Sequence, residues 1–184
     1  RDISYAASAN GLMGELFIRS VENITGRIGL IKRAKDYDKE VEKGRNFWEV
    51  IVERYNIEMN IVEGSLDDIP KKGPVVIVSN HPFGILDGLL LGFILSKTRK
   101  DFKIIANRVF RKAKDLDDVI LPISFEENRE GNIQNINTRN EAIRFLKSGG
   151  IVGIFPGGTV ATSAKLFSRP LDPFWKRFTS KLIL

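Results

Sequence analysis

The sequence predicts an α/β domain with a mixed, largely parallel sheet that is flanked by helices and preceded by an N-terminal helical pair. Short apolar runs rich in β-branched residues, separated by turns, fill the chain beyond about residue 57. These runs alternate with segments of helical character, which is the pattern of parallel α/β sheets. Before that point the apolar residues recur at helical spacing. We therefore divide the chain into an N-terminal helical segment, residues 1–57, and an α/β domain, residues 58–184.

The N-terminal segment contains two predicted helices, over residues 1–26 and about 44–56. The apolar positions at helical spacing are Leu12, Leu16, Phe17 and Val21 in the first helix, and Phe47, Val50, Ile51 and Tyr55 in the second. The charged stretch "RAKDYDKEVEKG" (33–44) between them predicts a connector or a helix extension. We expect this segment to form a helical cap, with membrane contact as the alternative.

Five strands are predicted, and they differ in how they are buried. They cover residues 56–62, 75–79, 102–106, 119–124 and 151–155. In "NIEMNIV", the first of them, apolar and polar residues alternate, which indicates a strand with one buried face. "VVIVS" (75–79) is a continuous β-branched run, typical of a strand buried on both faces. We therefore expect strand 75–79 in the interior of the sheet.

Two helices are predicted between these strands, and we expect helices on both faces of the sheet. "GLLLGFILS" (88–96) is apolar throughout, which indicates a buried helix. A second helix is predicted to begin at the capping box "TRNE" (138–141) and to end at Gly149 and Gly150. The polar, asparagine-rich stretch at 128–140 predicts a surface loop.

Composition excludes several classes of protein. Hydrophobic residues at 42% and charged residues at 28% are ordinary globular values, which exclude wholesale disorder. The absence of cysteine removes thiolate nucleophiles, disulfides and cysteine-based zinc sites. No apolar run approaches the ~20 residues that cross a bilayer. The net charge of +6 predicts a solvated basic surface, because its basic clusters are scattered and no nucleic-acid motif accompanies them; an anionic partner is the alternative.

One short stretch, "SNHPFGILDG" (79–88), concentrates groups that can carry chemistry. It holds the only histidine of the chain, His81, and an aspartate six residues later, Asp87. Pro82 disfavours helical backbone at His81, and Gly84 permits a turn, so the two side chains can meet if His81 precedes a helix that begins near Asp87. The pair then lies at the carboxyl end of strand 75–79, where open α/β sheets bind ligands.

A carboxylate beside an imidazole fixes the tautomer of the ring and stabilises its positive charge, which makes a general base for a hydroxyl. The sequence has no G-x-S-x-G nucleophile elbow, and a lone histidine is a poor basis for a zinc site, so no metal is expected. What remains is a base that activates a hydroxyl of the substrate itself. From this stretch alone, a capped structural loop stays equally open.

A second motif, "IFPGGT" (154–159), follows the last predicted strand. "NHPFGILDG" and "FPGGT" together resemble the motifs N-H-x4-D and F-P-E-G-T of the glycerolipid acyltransferases, the family of the lysophosphatidate acyltransferases. The likeness is greater to a bacterial branch of haemolysin-like proteins, related to the acyltransferases of ornithine-lipid synthesis, whose first motif is N-H-P-x-G-x-x-D-G. The stretches "IIANRVF" (104–110) and "ILPI" (120–123) also resemble that branch, and the likeness covers about residues 46–176.

This resemblance implies a phospholipid-biosynthesis enzyme with a glycerolphosphate-acyltransferase-like fold. His81 would deprotonate a hydroxyl or amine of a lysolipid acceptor, and Asp87 would orient it. The acceptor would attack the thioester of an acyl carrier protein or coenzyme A, with no further cofactor. The substrate-binding residues that the resemblance implies are Asn80, Gly84, Arg108, Arg111, Pro156, Gly157, Gly158 and Thr159. It also implies a peripheral protein on the inner, cytoplasmic face of a bacterial membrane.

The sequence departs from the family pattern at three places. Gly157 stands where the family has a glutamate. The arginine of the middle motif is missing near "ILPISF", although Arg108, Arg111 and Arg129 are nearby. The chain ends at Leu184, before the place of the fourth motif, so we expect the domain to be incomplete at its C-terminal end.

The first two departures predict an unusual acceptor. Glycine offers no charge but lets backbone amides approach a ligand closely, so we expect weak use of lysophosphatidate and better use of a lyso-ornithine-type lipid. Two alternatives stay open: a nearby arginine restores phosphate binding, or the chain is a non-catalytic lipid-binding relative that keeps the fold.

Overall fold

The computed structural model describes residues 13, 16, 20, 27–126, 128–163 and 168–183. The chain divides into two compact units, Arg1–Glu58 and Met59–Leu184. Among the residues described, no helix is both long and apolar enough to cross a membrane.

The first unit is helical. Its helices are α1 (Arg27–Ala34), α2 (Asp38–Val41) and α3 (Phe47–Tyr55). The predicted helix over 44–56 is confirmed as α3, and the charged stretch before it contains the end of α1 and all of α2. Of the helix predicted over residues 1–26, only Met13, Leu16 and Ser20 are described, and all three are helical; the rest lies outside the described residues.

The second unit alternates strands and helices as predicted. Its elements are β1 (Val75–Val78), α4 (Ile85–Thr98), β2 (Phe102–Asn107), α5 (Lys114–Asp117), β3 (Ile120–Ile123), α6 (Arg129–Lys147), β4 (Ile151–Ile154) and α7 (Arg177–Ile183), with 3-10 turns at Leu66–Asp68 and Arg108–Lys112. The strands form one parallel sheet in the order β1-β4-β2-β3. All four carboxyl ends therefore lie at one edge of the sheet.

Two strand predictions are wrong. Residues 56–62 form no strand, and they pair with no described strand. Ile57 and Met59 are half-buried, but Val62 is exposed. The alternating pattern therefore corresponds to partial burial of side chains and not to strand pairing. The sheet of the described residues thus has four strands and not five. The strand predicted over 75–79 is present as β1, but it lies at the edge of that sheet, paired only with β4. A run of β-branched residues indicates that the side chains of a strand are buried, but it does not indicate how many strands lie beside it.

Helices cover both faces of the sheet. One face packs on α6 and α7 through a core cluster of Ile105, Leu121, Ala142, Leu146, Val152, Ile154 and Leu182. Gly153 points to the opposite face because side chains alternate along β4. A Cβ at that position would lie 3.0 Å from Leu91 and 3.1 Å from Leu95, so the glycine lets α4 approach the sheet closely.

The start of helix α6 corrects another prediction. The stretch predicted as a surface loop, 128–140, is helical from Arg129, and Asn128 caps it by accepting a hydrogen bond from the Gly131 N–H (2.7 Å). Thr138 therefore lies inside the helix, buried, with its hydroxyl donating to the carbonyl oxygen of Pro122. The predicted end is confirmed, because the N–H groups of Gly149 and Gly150 bind the carbonyls of Leu146 and Phe145.

Candidate active site

The loop after β1 turns sharply into helix α4. Gly84 makes this turn with φ 66° and ψ −117°, a backbone conformation that side chains rarely permit. The helix begins at Ile85, and Asp87 stands in its first turn with its N–H bound to the Gly84 carbonyl (3.1 Å). The positive helix terminus favours a carboxylate there. The predicted turn at Gly84 and the position of Asp87 are thus confirmed.

This turn brings His81 and Asp87 together. Nδ1 of His81 lies 3.0 Å from Oδ2 of Asp87, and the same oxygen accepts a hydrogen bond from the Phe83 N–H (2.7 Å). An ionised carboxylate only accepts, so Nδ1 carries the proton of the neutral ring and Nε2 keeps its lone pair. No hydrogen bond to Nε2 is found among the described residues. The side chains are 19% and 12% exposed, so the pair is sheltered but reachable.

The histidine is also held through its ring face and its backbone. Its ring stacks on Phe155, directly after β4, with centroids 4.1 Å apart and 20° between the planes. The His81 N–H donates to Oδ1 of Asp172 (3.1 Å), and its carbonyl accepts from the Ala161 N–H (2.8 Å). The imidazole is thus fixed from three sides, which leaves the Nε2 edge as its available polar position.

The glycine turn after β4 lies under the chain segment that carries Asp172. A Cβ on Gly157 would stand 3.0 Å from Pro173 Cδ and 3.1 Å from the Pro173 carbonyl oxygen. Pro173 therefore fills the space where a side chain at position 157 would begin, and the expected approach of a ligand to the backbone of this glycine stays a prediction. The Gly158 N–H donates to the Phe155 carbonyl (3.0 Å), so it closes the turn.

The other predicted binding residues are placed as follows. Asn80 and Thr159 are exposed, and Pro156 is buried with its carbonyl accepting from the Lys176 N–H (3.0 Å). Arg108 pairs with Glu126 (2.7 Å) and Arg111 pairs with Asp117 (2.6 Å). The assignment of all these residues to substrate binding stays a prediction.

Three residues of the site were missed by sequence reasoning. Phe155 ends the predicted strand 151–155 and begins the motif "FPGGT", but it was not assigned to the site as a partner of the histidine ring. Asp172 lies 91 positions from its partner, and no local pattern marks it. No sequence pattern singled out Lys176, yet its side chain passes over Gly158, 3.0 Å from where a Cβ would be.

One of the comparisons with known proteins gives a match, and it covers the part of the chain that contains this site. The model of the acyltransferase family matches residues 60–174, which is more than half of the chain and includes His81, Asp87 and the glycine turn. No match was found among curated proteins or among solved structures.

Proposed function

The chain belongs to the acyltransferase family, and from this premise we propose that it moves a fatty acyl group from a thioester to a lysolipid-type acceptor with His81 as general base. The donor is an acyl carrier protein or coenzyme A thioester. The observation that carries the proposal is the 3.0 Å contact between Nδ1 of His81 and Asp87, which leaves Nε2 unengaged by the described residues.

The proposed reaction uses the imidazole twice. The acceptor hydroxyl donates a hydrogen bond to Nε2, which takes the proton as the oxygen attacks the thioester carbonyl. The tetrahedral intermediate then collapses, the carbon–sulfur bond breaks, and the imidazolium returns its proton to the departing thiolate. Asp87 stabilises the imidazolium between these steps and keeps the ring oriented. The Phe83 N–H holds the carboxylate in place at 2.7 Å.

Groups of the glycine turn are proposed to bind the acceptor or the oxyanion. The amides of Gly157 and Thr159 have no hydrogen-bond partner among the described residues, in contrast to Gly158. Backbone amides at such a turn stabilise developing negative charge without reorganisation. Lys176, beside Gly158, adds a positive charge at the same place. Arg108 and Arg111 would have to leave their carboxylate partners to contribute.

The acceptor is proposed to differ from lysophosphatidate, as in the ornithine-lipid branch. Two observations support this. Gly157 removes the family's carboxylate, and Pro173 occupies the space from which such a side chain would extend. The sequence also lacks the arginine of the family's middle motif at the matching place, and the nearby Arg108 and Arg111 are paired with Glu126 and Asp117. The protein is further proposed to work peripherally at the inner face of a bacterial membrane.

Acceptor-dependent thiol release tests the proposal. The full chain is incubated with acyl-coenzyme A or acylated carrier protein and with lysophosphatidate, other lysophospholipids or a lyso-ornithine-type lipid, and the acylated product is identified by mass spectrometry. We expect thiol release only with an acceptor, a higher kcat/KM for the lyso-ornithine-type lipid, and loss of most activity in Asp87→Asn. If the protein binds lipids but turns over no combination of acyl donor and acceptor, the result would instead support the alternative that the chain is a non-catalytic lipid-binding relative. A preference for lysophosphatidate would refute the acceptor assignment alone.

A further inference from the structure

Large apolar side chains are exposed to solvent on a segment that follows the glycine turn in the chain. In the stretch 171–177, which we call the aromatic segment, Phe174 is 99% exposed, Leu171 69% and Trp175 59%. A scattered exposed apolar residue is ordinary, but three within five positions form a patch that requires an explanation.

The aromatic segment is anchored to the site by its other residues. Asp172 accepts from the His81 N–H, Pro173 packs on Gly157, and the Lys176 N–H binds the Pro156 carbonyl. Phe174 and Trp175 lie between the last two anchors and face outward. The arrangement is the reverse of ordinary burial, because the polar and small groups face the protein and the large apolar ones face water.

A fourth exposed large apolar residue, Phe83, lies on the loop between β1 and α4 that carries His81. Phe83 is 75% exposed, while its N–H donates to the carboxylate of Asp87. Two separate segments that hold the His81–Asp87 pair therefore both present aromatic side chains to solvent. The exposed apolar side chains therefore belong to the same two segments that form hydrogen bonds with His81 and Asp87.

Positive charges flank the patch. Arg169, Lys176 and Arg177 are exposed, and none of them forms an ion pair within the part of the chain that the structure describes. The one acidic residue of the aromatic segment, Asp172, is turned to the His81 backbone. Lysine and arginine beside aromatic side chains are the composition of a surface that inserts into the interface of an anionic bilayer.

We infer that the aromatic segment and Phe83 dock the mouth of the active site on an anionic lipid bilayer. This inference rests on the proposed function, because a lysolipid acceptor would then reach Nε2 from the membrane plane. Phe83, Phe174 and Trp175 enter the interface, and Arg169 and Arg177 bind lipid phosphates. The occupant is a bilayer because a fully exposed phenylalanine, a tryptophan and unpaired cations meet at one place.

Vesicle binding of the full chain tests the inference. Partition is measured into vesicles of phosphatidylcholine alone and of phosphatidylcholine mixed with phosphatidylglycerol. We expect binding to the mixed vesicles, and a loss of about tenfold or more in the double variant Phe174→Ala, Trp175→Ala. The matched control replaces two exposed apolar residues of α6, Ile133→Ala and Ile136→Ala, and should change partition by less than about twofold. Arg169→Gln and Arg177→Gln should each weaken binding to anionic vesicles by about fivefold.

Tryptophan fluorescence locates the contact in the unmodified protein. Trp48 is buried at 6% exposure and Trp175 is 59% exposed, and they are the two tryptophans of the chain. Vesicles with brominated acyl chains should quench the Trp175 emission, and Trp175→Phe should abolish the quenching. Quenching that persists in Trp175→Phe would overturn the assignment of the docking surface.

Water-soluble substrates separate this inference from the proposed function. With a short-chain acyl-coenzyme A and a soluble short-chain acceptor, the Phe174, Trp175 double variant should keep the wild-type rate while losing activity on vesicle-borne acceptor. If no substrate is turned over but vesicle binding still depends on Phe174 and Trp175, the docking surface stands and the proposed function fails. Wild-type vesicle binding by the double variant would overturn the inference. A dimer that the double variant loses, without vesicle binding, would assign the patch to a second copy and overturn it too.

Discussion

The two edges of the parallel sheet carry polar clusters of opposite design. At the amino-terminal edge Arg99, whose side chain is 7% exposed, pairs with Asp101 and donates to the carbonyl oxygens of Pro70, Gly73 and Gly149. Gly73, Asp101 and Gly149 stand just before the starts of β1, β2 and β4, and Pro70 lies earlier in the loop that leads to β1. One guanidinium therefore ties the starts of three strands together, and its donors point to protein acceptors.

The carboxyl-terminal edge has the opposite property. His81 uses Nδ1 and its backbone groups within the protein, but Nε2 has no described partner. His81 Nε2 is not among the described side-chain polar atoms that are buried without a partner, so the ring is held in a fixed orientation with one nitrogen accessible to a substrate. The comparison therefore contrasts a cluster whose donors are all used within the protein with one that leaves an imidazole nitrogen accessible, which is the nitrogen that the proposed function uses.

Replacing His81 by alanine should give the largest expected effect, a loss of activity with little loss of stability. We expect acyl transfer to fall by about 10²–10⁴, the usual contribution of a general base. The thermal midpoint should hardly change, because the ring lies at a loop and contributes little to the core. Thiol release and circular dichroism on the same sample check both statements. A variant that keeps near-wild-type turnover would remove His81 from the mechanism.

Replacing Arg99 by methionine should give the converse result. The apolar stem is kept, but the three carbonyls and Asp101 lose their donor, so we expect the free energy of unfolding to fall by about 2–4 kcal/mol. Activity per folded molecule should be unchanged. Urea unfolding measures the loss, with Lys71→Met as control, since its exposed pair with Asp67 contributes about 0–1 kcal/mol. An equal loss in both variants would contradict a structural role specific to Arg99.

Changes at Asp172 should have a smaller effect on turnover. Alanine removes the acceptor for the His81 N–H, and we expect kcat to fall by about tenfold, because a misplaced base weakens the reaction geometry. Asparagine keeps an oxygen at the same place and should retain most activity. The pair of variants, measured over a pH series at equal folded concentration, distinguishes positioning from stability. Equal activity in the two variants would refute the positioning role.

The smallest expected effect is the pH dependence of the stability that the Arg99–Asp101 pair contributes at the amino-terminal edge of the sheet. The hydrogen bond from Arg99 holds the pKa of the Asp101 carboxyl below its usual range. Since the folded pKa is lowered, the stabilisation is complete above the unfolded pKa of about 3.9 and is lost as pH falls through the folded value. Asp101→Asn should therefore be less stable than wild type at neutral pH, by no more than about 1 kcal/mol for so exposed a carboxylate. The difference should vanish in acid; a difference independent of pH would exclude this origin.

Sequence reasoning reached the site because its signals are local. His81, Pro82, Gly84 and Asp87 lie within seven positions, and each restricts the backbone in a known way. The alternation of strands and helices was likewise visible in apolar periodicity. What it could not reach were contacts over long separations, such as Asp172 with His81, or Pro173 over Gly157.

The failures at α6 and β1 have a common physical cause. Helix α6 begins in a polar stretch, predicted as a surface loop, because Gln134, Asn135 and Thr138 bind backbone groups of Pro122 and Ser124 at the end of β3. Strand β1 is apolar although it lies at the sheet edge. In both cases the local pattern gives the chemistry of the side chains, whereas their partners are decided by tertiary packing.

The tautomer of His81 tests the central claim most directly. Because His81 is the only histidine, its ring nitrogens give single resonances in a 15N NMR spectrum of the full chain. Asp87, 3.0 Å from Nδ1, should place the proton of the neutral ring on Nδ1 and leave Nε2 as a bare acceptor. Asp87→Asn should lose that preference. A neutral wild-type ring with its proton on Nε2 would contradict the account, since no base would then face the substrate.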